Sequence, residues 1–384
     1  MHPENFRSQR AGKIIRHSKG YWAFIPAPLP PNLTWTPALV SRLAETERNL
    51  SALNSSGISM PFQLLLARPF THREAVISSH IEGTRASLVD LYRFEAKQLS
   101  FLEIDTDVRE VYNYVRAMEY GLERLKTLPI SLRLIRELHA RLMEGVRGEY
   151  LTPGEFRRSQ NWIGPAGCTL ADATYVPPPI DEMLAGLDQL EKFIHAPSEL
   201  PVLVRVGIIH YQFEALHPFL DGNGRIGRLL VILLLCAWDL LPRPLLYLSA
   251  FFDANRREYY DRLLGVSQHG DWEGWLTFFL QGIHTQSQDA VRRMAHLQEI
   301  YIIYQARLLH GRTSRRLLQA LEVLFVRPIL SVRQMEAALN VPYRTAQRYI
   351  EKLVDSGILH EITGQGRNRL YRADEIMGAI EGQM

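Results

Sequence analysis

Two apolar segments stand out along the chain. Residues 202–214 carry apolar side chains at helical spacing, and residues 229–238 are an almost unbroken apolar run. Both read as buried helices, and the run is too short to cross a membrane. Between them lies His217-Pro-Phe-Leu-Asp-Gly-Asn-Gly-Arg-Ile-Gly-Arg228, which the pattern makes a helix–loop–helix turn against a core. Helical spacing recurs over 37–53, 62–81, 88–101, 108–125, 132–143 and 247–264, followed by Trp272, Trp275, Phe278 and Phe279 and a Gln- and Arg-rich connector over 285–311. The first 36 residues, Pro-rich near 25–31, read as an extended arm, with a loosely packed leader as the alternative. From 148 to 179 the helical period stops. Gly, Pro and Thr become frequent, and the stretches 156–164 and 173–177 flank a turn, so an irregular β-hairpin is expected, or else a connecting loop.

The last segment differs again. Residues 331–339 and 343–356 are two short helices joined by Asn-Val-Pro, and 361–372 alternates around Gly364-Gln-Gly366 like a hairpin. This pattern resembles a winged helix-turn-helix domain. Arg344, Arg348 and Lys352 recur every fourth residue on its second helix, with Arg367 and Arg369 on the wing. That face suits phosphates, but Glu351 and Asp355 dilute it, so a protein-interaction or dimer module stays equally open. A boundary is expected near 310–314.

Composition sets few limits. A net charge of +3 gives no strong pull toward nucleic acid or membrane, and 46% hydrophobic residues indicate a globular chain with a large core. The two cysteines, Cys168 and Cys236, form no disulfide framework and suit a reducing cytoplasm. The N-terminus lacks a signal-peptide pattern.

The chemistry concentrates in the loop. Gly222-Asn223-Gly224 lets the backbone turn its N–H groups inward, and a helix starting near Arg225 directs its free N–H groups and positive dipole end at the loop. Arg225 and Arg228, three apart, share a helix face. Asp221 is a hard oxygen ligand suited to Mg²⁺, and His217 opens the loop and can act as a general base near neutral pH. Phe219 is expected to anchor the loop from inside. His139 reads as structural.

Every fixed position of this loop matches the Fic family pattern His-x-Phe-x-(Asp/Glu)-Gly-Asn-Gly-Arg-x-x-Arg, and the chain resembles Fic proteins over about residues 60–285. The resemblance implies a mainly α fold with a β-hairpin flap (156–179) plus the small C-terminal winged helix. It divides the chain into an N-terminal arm and helices over 1–110, a catalytic domain over 111–285, a connector over 286–311 and a module over 312–384. It implies transfer of AMP from ATP to a Ser, Thr or Tyr hydroxyl of a protein, with Mg²⁺, His217 as base and Gly222, Asn223, Gly224, Arg225 and Arg228 on the phosphates. Self-modification, removal of AMP, a homodimer and DNA bound through 331–372 complete the expected partners, with no membrane. Ser78-Ser-His-Ile-Glu82-Gly83 resembles the family's inhibitory motif, by which Glu82 pairs with Arg228 and blocks the γ-phosphate. Gly83 also fits a helix C-terminal cap. Ile163 and Tyr175 resemble target-covering flap residues, and Asn255, Tyr259 and Tyr260 an adenine-pocket wall. The rival reading is a DNA-binding regulator whose Fic domain senses nucleotide.

Overall fold

Ser131 shows how local sequence sets the helix boundaries. Its side chain accepts the Leu134 N–H at the start of an eleven-residue helix whose Leu134, Ile135, Leu138 and Leu142 are buried on one face. The computed structural model describes residues 1–55, 60–97, 105–146, 151–308 and 315–382. In chain order the first elements are β1 (Gly12–Arg16), β2 (Trp22–Pro26), α1 (Pro37–Asn54), α2 (Met60–Ile81), α3 (Leu88–Lys97) and α4 (Thr106–Arg124). Next come α5 (Leu132–Leu142), α6 (Ile180–His195), α7 (Val202–Leu216), α8 (Asn223–Ala237), α9 (Ser249–Ala254), α10 (Arg256–His269) and α11 (Trp272–Leu308). The C-terminal part holds α12 (Arg315–Val326), β3 (Ile329–Ser331), α13 (Val332–Leu339), α14 (Tyr343–Asp355), β4 (His360–Glu361), β5 (Leu370–Arg372) and α15 (Asp374–Glu381). The fold is mainly helical, as the spacing predicts. Among the described residues no helix is long and apolar enough to cross a membrane.

The chain divides into two compact units, which differ from the four consecutive segments expected. The first comprises 1–51, 116–242 and 248–286. Its centre is α7, apolar nearly all round and therefore buried nearly all round. Helices α6, α8 and α10 and strand β2 pack on it. At Gly207 an added Cβ would stand 3.0 Å from both Leu276 Cδ2 and Phe279 Cδ1. The missing side chain lets the first turns of α11 close on α7, and Trp275 Nε1 donates to the Gly207 carbonyl at 2.9 Å.

The second unit comprises 52–115, 243–247 and 287–384. Helices α13 and α14 are joined by 340–342, with Asn340 in the left-handed region and Ser331 and Gln334 forming a reciprocal cap on α13. β3, β5 and β4 make a three-stranded antiparallel sheet in that order. These elements lie against earlier chain. α3 packs on β3, and α2 takes α12 and α15. Phe62 and Phe325 meet at 5.5 Å, and Gln334 donates to the Glu95 carbonyl. The expected boundary at 310–314 lies outside the described residues, as does the end of the expected 88–101 helix.

Four local expectations change. The N-terminal arm is a hairpin, not a leader. β1 pairs with β2 from Gly12↔Pro26 to Arg16↔Trp22, and Gly20 at φ +89° supplies the turn. The hairpin is fastened inward by the Phe24 N–H on the Val176 carbonyl. The 156–179 hairpin is reduced to one antiparallel bridge, Ile163↔Tyr175, because prolines at 165 and 177–179 supply no N–H to a ladder. The 247–264 helix is two helices broken at Asn255 (φ −120°, ψ 35°). The connector at 285–311 is not separate: α11 runs unbroken through it to Leu308.

Candidate active site

The loop opens where α7 stops. His217 caps that helix in the left-handed conformation, φ 46° and ψ 61°, which a non-glycine residue adopts only at a cost. Its Nδ1–H donates to the Glu214 carbonyl at 3.3 Å, a tautomer that makes Nε2 the basic nitrogen of the ring. Phe219 is fully buried, as expected, and its ring stacks on His139 at 3.7 Å.

Asn223 shapes the middle of the loop. Its Oδ1 accepts the Phe219 N–H at 2.8 Å and its Nδ2 donates to the Phe219 carbonyl at 2.9 Å. The asparagine is 2% exposed, so it acts on the backbone of its own loop instead of facing a ligand directly. Gly222 is the N-cap of α8 at φ 77°, and an added Cβ would stand 3.1 Å from Met143 Sδ. Gly224 is already helical, because α8 starts at Asn223 and not at Arg225. It adds no side chain over the first turn, where unsatisfied N–H groups and the positive dipole end lie.

Both motif arginines are buried, Arg225 to 3% and Arg228 to 2% exposure. Arg225 lowers the proton affinity of His139 on α5, and its guanidinium is 3.8 Å from Asp221 Oδ1. Arg228 does the same to His210 on α7. The Asp221 side chain is 45% exposed, and its Oδ1 accepts the Gly222 N–H. Among the described residues no cluster of three or more His, Cys, Asp or Glu could hold a metal alone. A hard cation there would therefore share Asp221 with oxygens of a bound ligand.

The other expected site residues divide. Ile163 is 39% exposed, with Trp162 beside it at 42%, so the flap does present apolar side chains. Tyr175 does not: it is buried, packs on Phe24 and Phe6, and donates its hydroxyl to the Ala215 carbonyl at 2.8 Å. Tyr259 is likewise a core residue. It stacks on Phe252 at 4.4 Å and shares a 2.8 Å hydrogen bond with His210 Nε2, which leaves no ring face for a base. Tyr260 is 43% exposed, and Asn255 Nδ2 donates to the Phe251 carbonyl. In the second unit, Glu82 lies one residue past the end of α2, exposed, with Gly83 at φ +96° and Ser78 buried. Glu82 thus sits in the turn that ends α2, its N–H on the Ser79 carbonyl.

Several site residues carry no signal in the motif. His139 accepts the Gly154 N–H at Nδ1 and donates from Nε2 to the Asp221 carbonyl at 3.0 Å. Arg157 and Asn161 donate to the carbonyl of His217. His210 bonds the Gly227 carbonyl through Nδ1. Each acts on backbone, so residue type and spacing carry no sign of it.

Burial holds the His139 imidazole down to about 4, from an ordinary 6.5. The folded protein then resists a proton that the unfolded chain accepts. Stability is complete above about pH 6.5 and is lost as pH falls toward 4, by about 3 kcal/mol at full extent. Urea unfolding at pH 7 and pH 4.5 checks this. Wild type should lose about 2 kcal/mol more than His139→Gln between the two, and equal losses would remove His139 from the buried neutral role.

Comparison with known proteins bears on the family. Residues 40–123 match the Fic/DOC family N-terminal model, and residues 129–235 match the Fic/DOC family model. The chain is 24% identical over 244 residues to a protein adenylyltransferase Fic of Drosophila ananassae, covering 60% of this chain and 45% of the relative. It is 27% identical over 206 residues to that of Drosophila erecta, covering 52% and 38%. The chain thus spans less than half the length of these relatives. In structure it resembles a Fic family protein from Desulfovibrio desulfuricans G20, with a TM-score of 0.57, 20% identity, and 90% of this chain and 98% of that one covered. It also resembles Fic-1 from C. elegans, residues 134–508, with a TM-score of 0.51, 20% identity and coverage of 69% and 75%. Motif, domain matches and fold converge, and the chain belongs to the Fic/DOC family.

Proposed function

We propose that the chain is a protein adenylyltransferase that moves AMP from ATP to a Ser, Thr or Tyr hydroxyl of a protein, including itself, and releases pyrophosphate. The observation that carries the reading is the orientation of His217, its Nδ1 turned to the Glu214 carbonyl, beside the N-terminus of α8 and two buried arginines. The curated relatives named as adenylyltransferases support it at the family level.

The acceptor hydroxyl gives its proton to His217 Nε2 as its oxygen attacks the α-phosphorus. The new P–O bond forms as the bond to the bridging oxygen of the β-phosphate breaks, and pyrophosphate leaves. The first-turn N–H groups of α8 and the guanidiniums of Arg225 and Arg228 meet the negative charge. Mg²⁺, held by Asp221 and phosphate oxygens, would neutralise charge on the departing group. The exposed pair Trp162 and Ile163 is offered as the target-facing part of the flap. Two free cysteines fit a cytoplasmic setting.

We further propose that Glu82 is inhibitory, pairing with Arg228 in competition with the ATP γ-phosphate. The Ser78–Gly83 motif and the left-handed Gly83 that ends α2 support this. Such a contact contributes on the order of 1.5–3 kcal/mol, so removing it should raise productive ATP occupancy roughly 10–100-fold. In a time course of AMP incorporation with Mg-ATP, Glu82→Gly should be strongly active and wild type weak. Glu82→Gly/Arg228→Ala should stay inactive. Equal rates for wild type and Glu82→Gly would sink the inhibitory role. Within the Glu82→Gly background, His217→Ala should abolish transfer while nucleotide binding survives. Near-full transfer by that variant would rule out His217 as the base.

A second activity is favoured by one observation. Arg344, Arg348 and Lys352 are exposed along α14, and Arg367 and Arg369 are exposed between β4 and β5. We propose that this face binds duplex DNA through its phosphates. Replacing Arg344, Arg348 and Lys352 with Ala should abolish gel-shift binding and flatten its salt dependence, by about one unit of log slope for each phosphate no longer neutralised. Absence of binding by the wild-type chain at low salt would move the face to a protein or dimer contact.

A further inference from the structure

We propose that Arg157 and Asn161 are positioning residues for the base, holding the strained backbone of His217 and coupling it to the flap; this rests on the adenylyltransferase reading for its activity arm. The starting observation is a cation in an unusual place. Arg157 is 1% exposed, and among the described residues no carboxylate lies within ion-pair distance of it. Burial of a charge without a counter-ion is costly, and here it draws the guanidinium down to about 10, still protonated at neutral pH.

All of its hydrogen bonds go to backbone oxygen. Nε donates to the His217 carbonyl at 3.0 Å, Nη2 to the Pro178 carbonyl at 2.5 Å and Nη1 to the Ser159 carbonyl at 3.4 Å, while its own amide N–H donates to the Pro218 carbonyl at 2.8 Å. An arginine offers five donors in a fixed fork and no acceptor, so it can hold several carbonyls that no neutral side chain could serve together. Asn161 completes the clamp. Its Nδ2 donates to His217 at 3.2 Å and to Phe219 at 2.8 Å. Its buried Oδ1 has no hydrogen-bond partner among the described residues, so the amide is spent on those two carbonyls.

The carbonyl they share belongs to a residue in the left-handed region. A non-glycine residue stays there only when its surroundings over-determine it. The 217 peptide group sets the direction of the Cα–Cβ bond and hence where the imidazole points. Loss of the clamp would let 217 relax toward φ < 0 and swing the ring. Ile163 follows Asn161 by two residues and holds the one flap bridge, so the segment that faces a target also fixes the base.

Two readouts on the full-length chain test this. In the Glu82→Gly background, Arg157→Met should lower kcat for AMP transfer by about 10²-fold with little change in KM for ATP, and Arg157→Lys should recover part of it. Asn161→Asp places an acceptor against two carbonyls and should also lower kcat, and its partial exposure guards against a variant that fails to fold. The second readout is the ring signal of His217 in protein labelled with ¹³C-histidine, assigned by its absence in His217→Ala. It should shift or broaden in Arg157→Met and Asn161→Asp and return toward wild type in Arg157→Lys. An unmoved His217 signal in folded Arg157→Met or Asn161→Asp overturns the proposal, as does an equal fall in kcat and rise in KM. If the Glu82→Gly parent transfers no AMP, the reaction assignment fails while the His217 signal still decides the positioning role.

Discussion

The site depends on one constraint: a buried, irregular stretch of backbone must have its peptide groups satisfied. From His217 to Gly222 the chain is neither helix nor strand, yet Pro218, Phe219 and Gly222 are buried. Regular structure would supply partners, and here side chains do so. Arg157 and Asn161 take the carbonyl of 217, Asn161 and Asn223 that of 219, His139 that of 221. Asn223 and Asp221 accept the N–H groups of 219 and 222. The shape of the loop is therefore the sum of these bonds. The functional groups inherit their directions from that shape.

The same constraint separates what is legible in the chain from what is not. Helices α7 and α8 announce themselves because their faces must be apolar to be buried. The glycine at 222 shows as well, since φ 77° and the nearby Met143 exclude a side chain. The chemical groups His217, Asp221, Arg225 and Arg228 stand within one short loop, so their proximity follows from chain length alone. The supports come from residues 139, 157 and 161, which the fold brings together and spacing does not. A histidine on an apolar helix face and an arginine in a turn have ordinary neighbours in sequence. Their donors find buried carbonyls only in three dimensions.

Where resemblance misleads, burial decides. Tyr175 and Tyr259 are tyrosines in the expected stretches, but each spends its hydroxyl on a buried partner and its ring on the core. The flap hairpin shrinks to a single bridge because a ladder needs N–H groups that its prolines lack. The N-terminal hairpin escapes the pattern for the opposite reason. Its strands are only five residues each, too short for alternation to separate them from an extended arm. It is held by packing of Phe24 and by a bond to the Val176 carbonyl, both distant in sequence.

Burying both motif arginines has its own physical consequence. The partly exposed Asp221 carboxylate stands 3.8 Å from Arg225, too far for a close, fully desolvated pair. A guanidinium removed from water is worth most to an anion that can desolvate beside it, because the local dielectric is low and the geometry is already fixed. The same burial keeps His139 and His210 neutral, since each sits near one of these cations in a dry setting. Neutral rings can then donate to carbonyl oxygens with one nitrogen and accept with the other, which a protonated ring cannot. The buried positive charge beside the loop and the neutral props that shape the loop thus arise from one cause, the close packing of α5, α7 and α8.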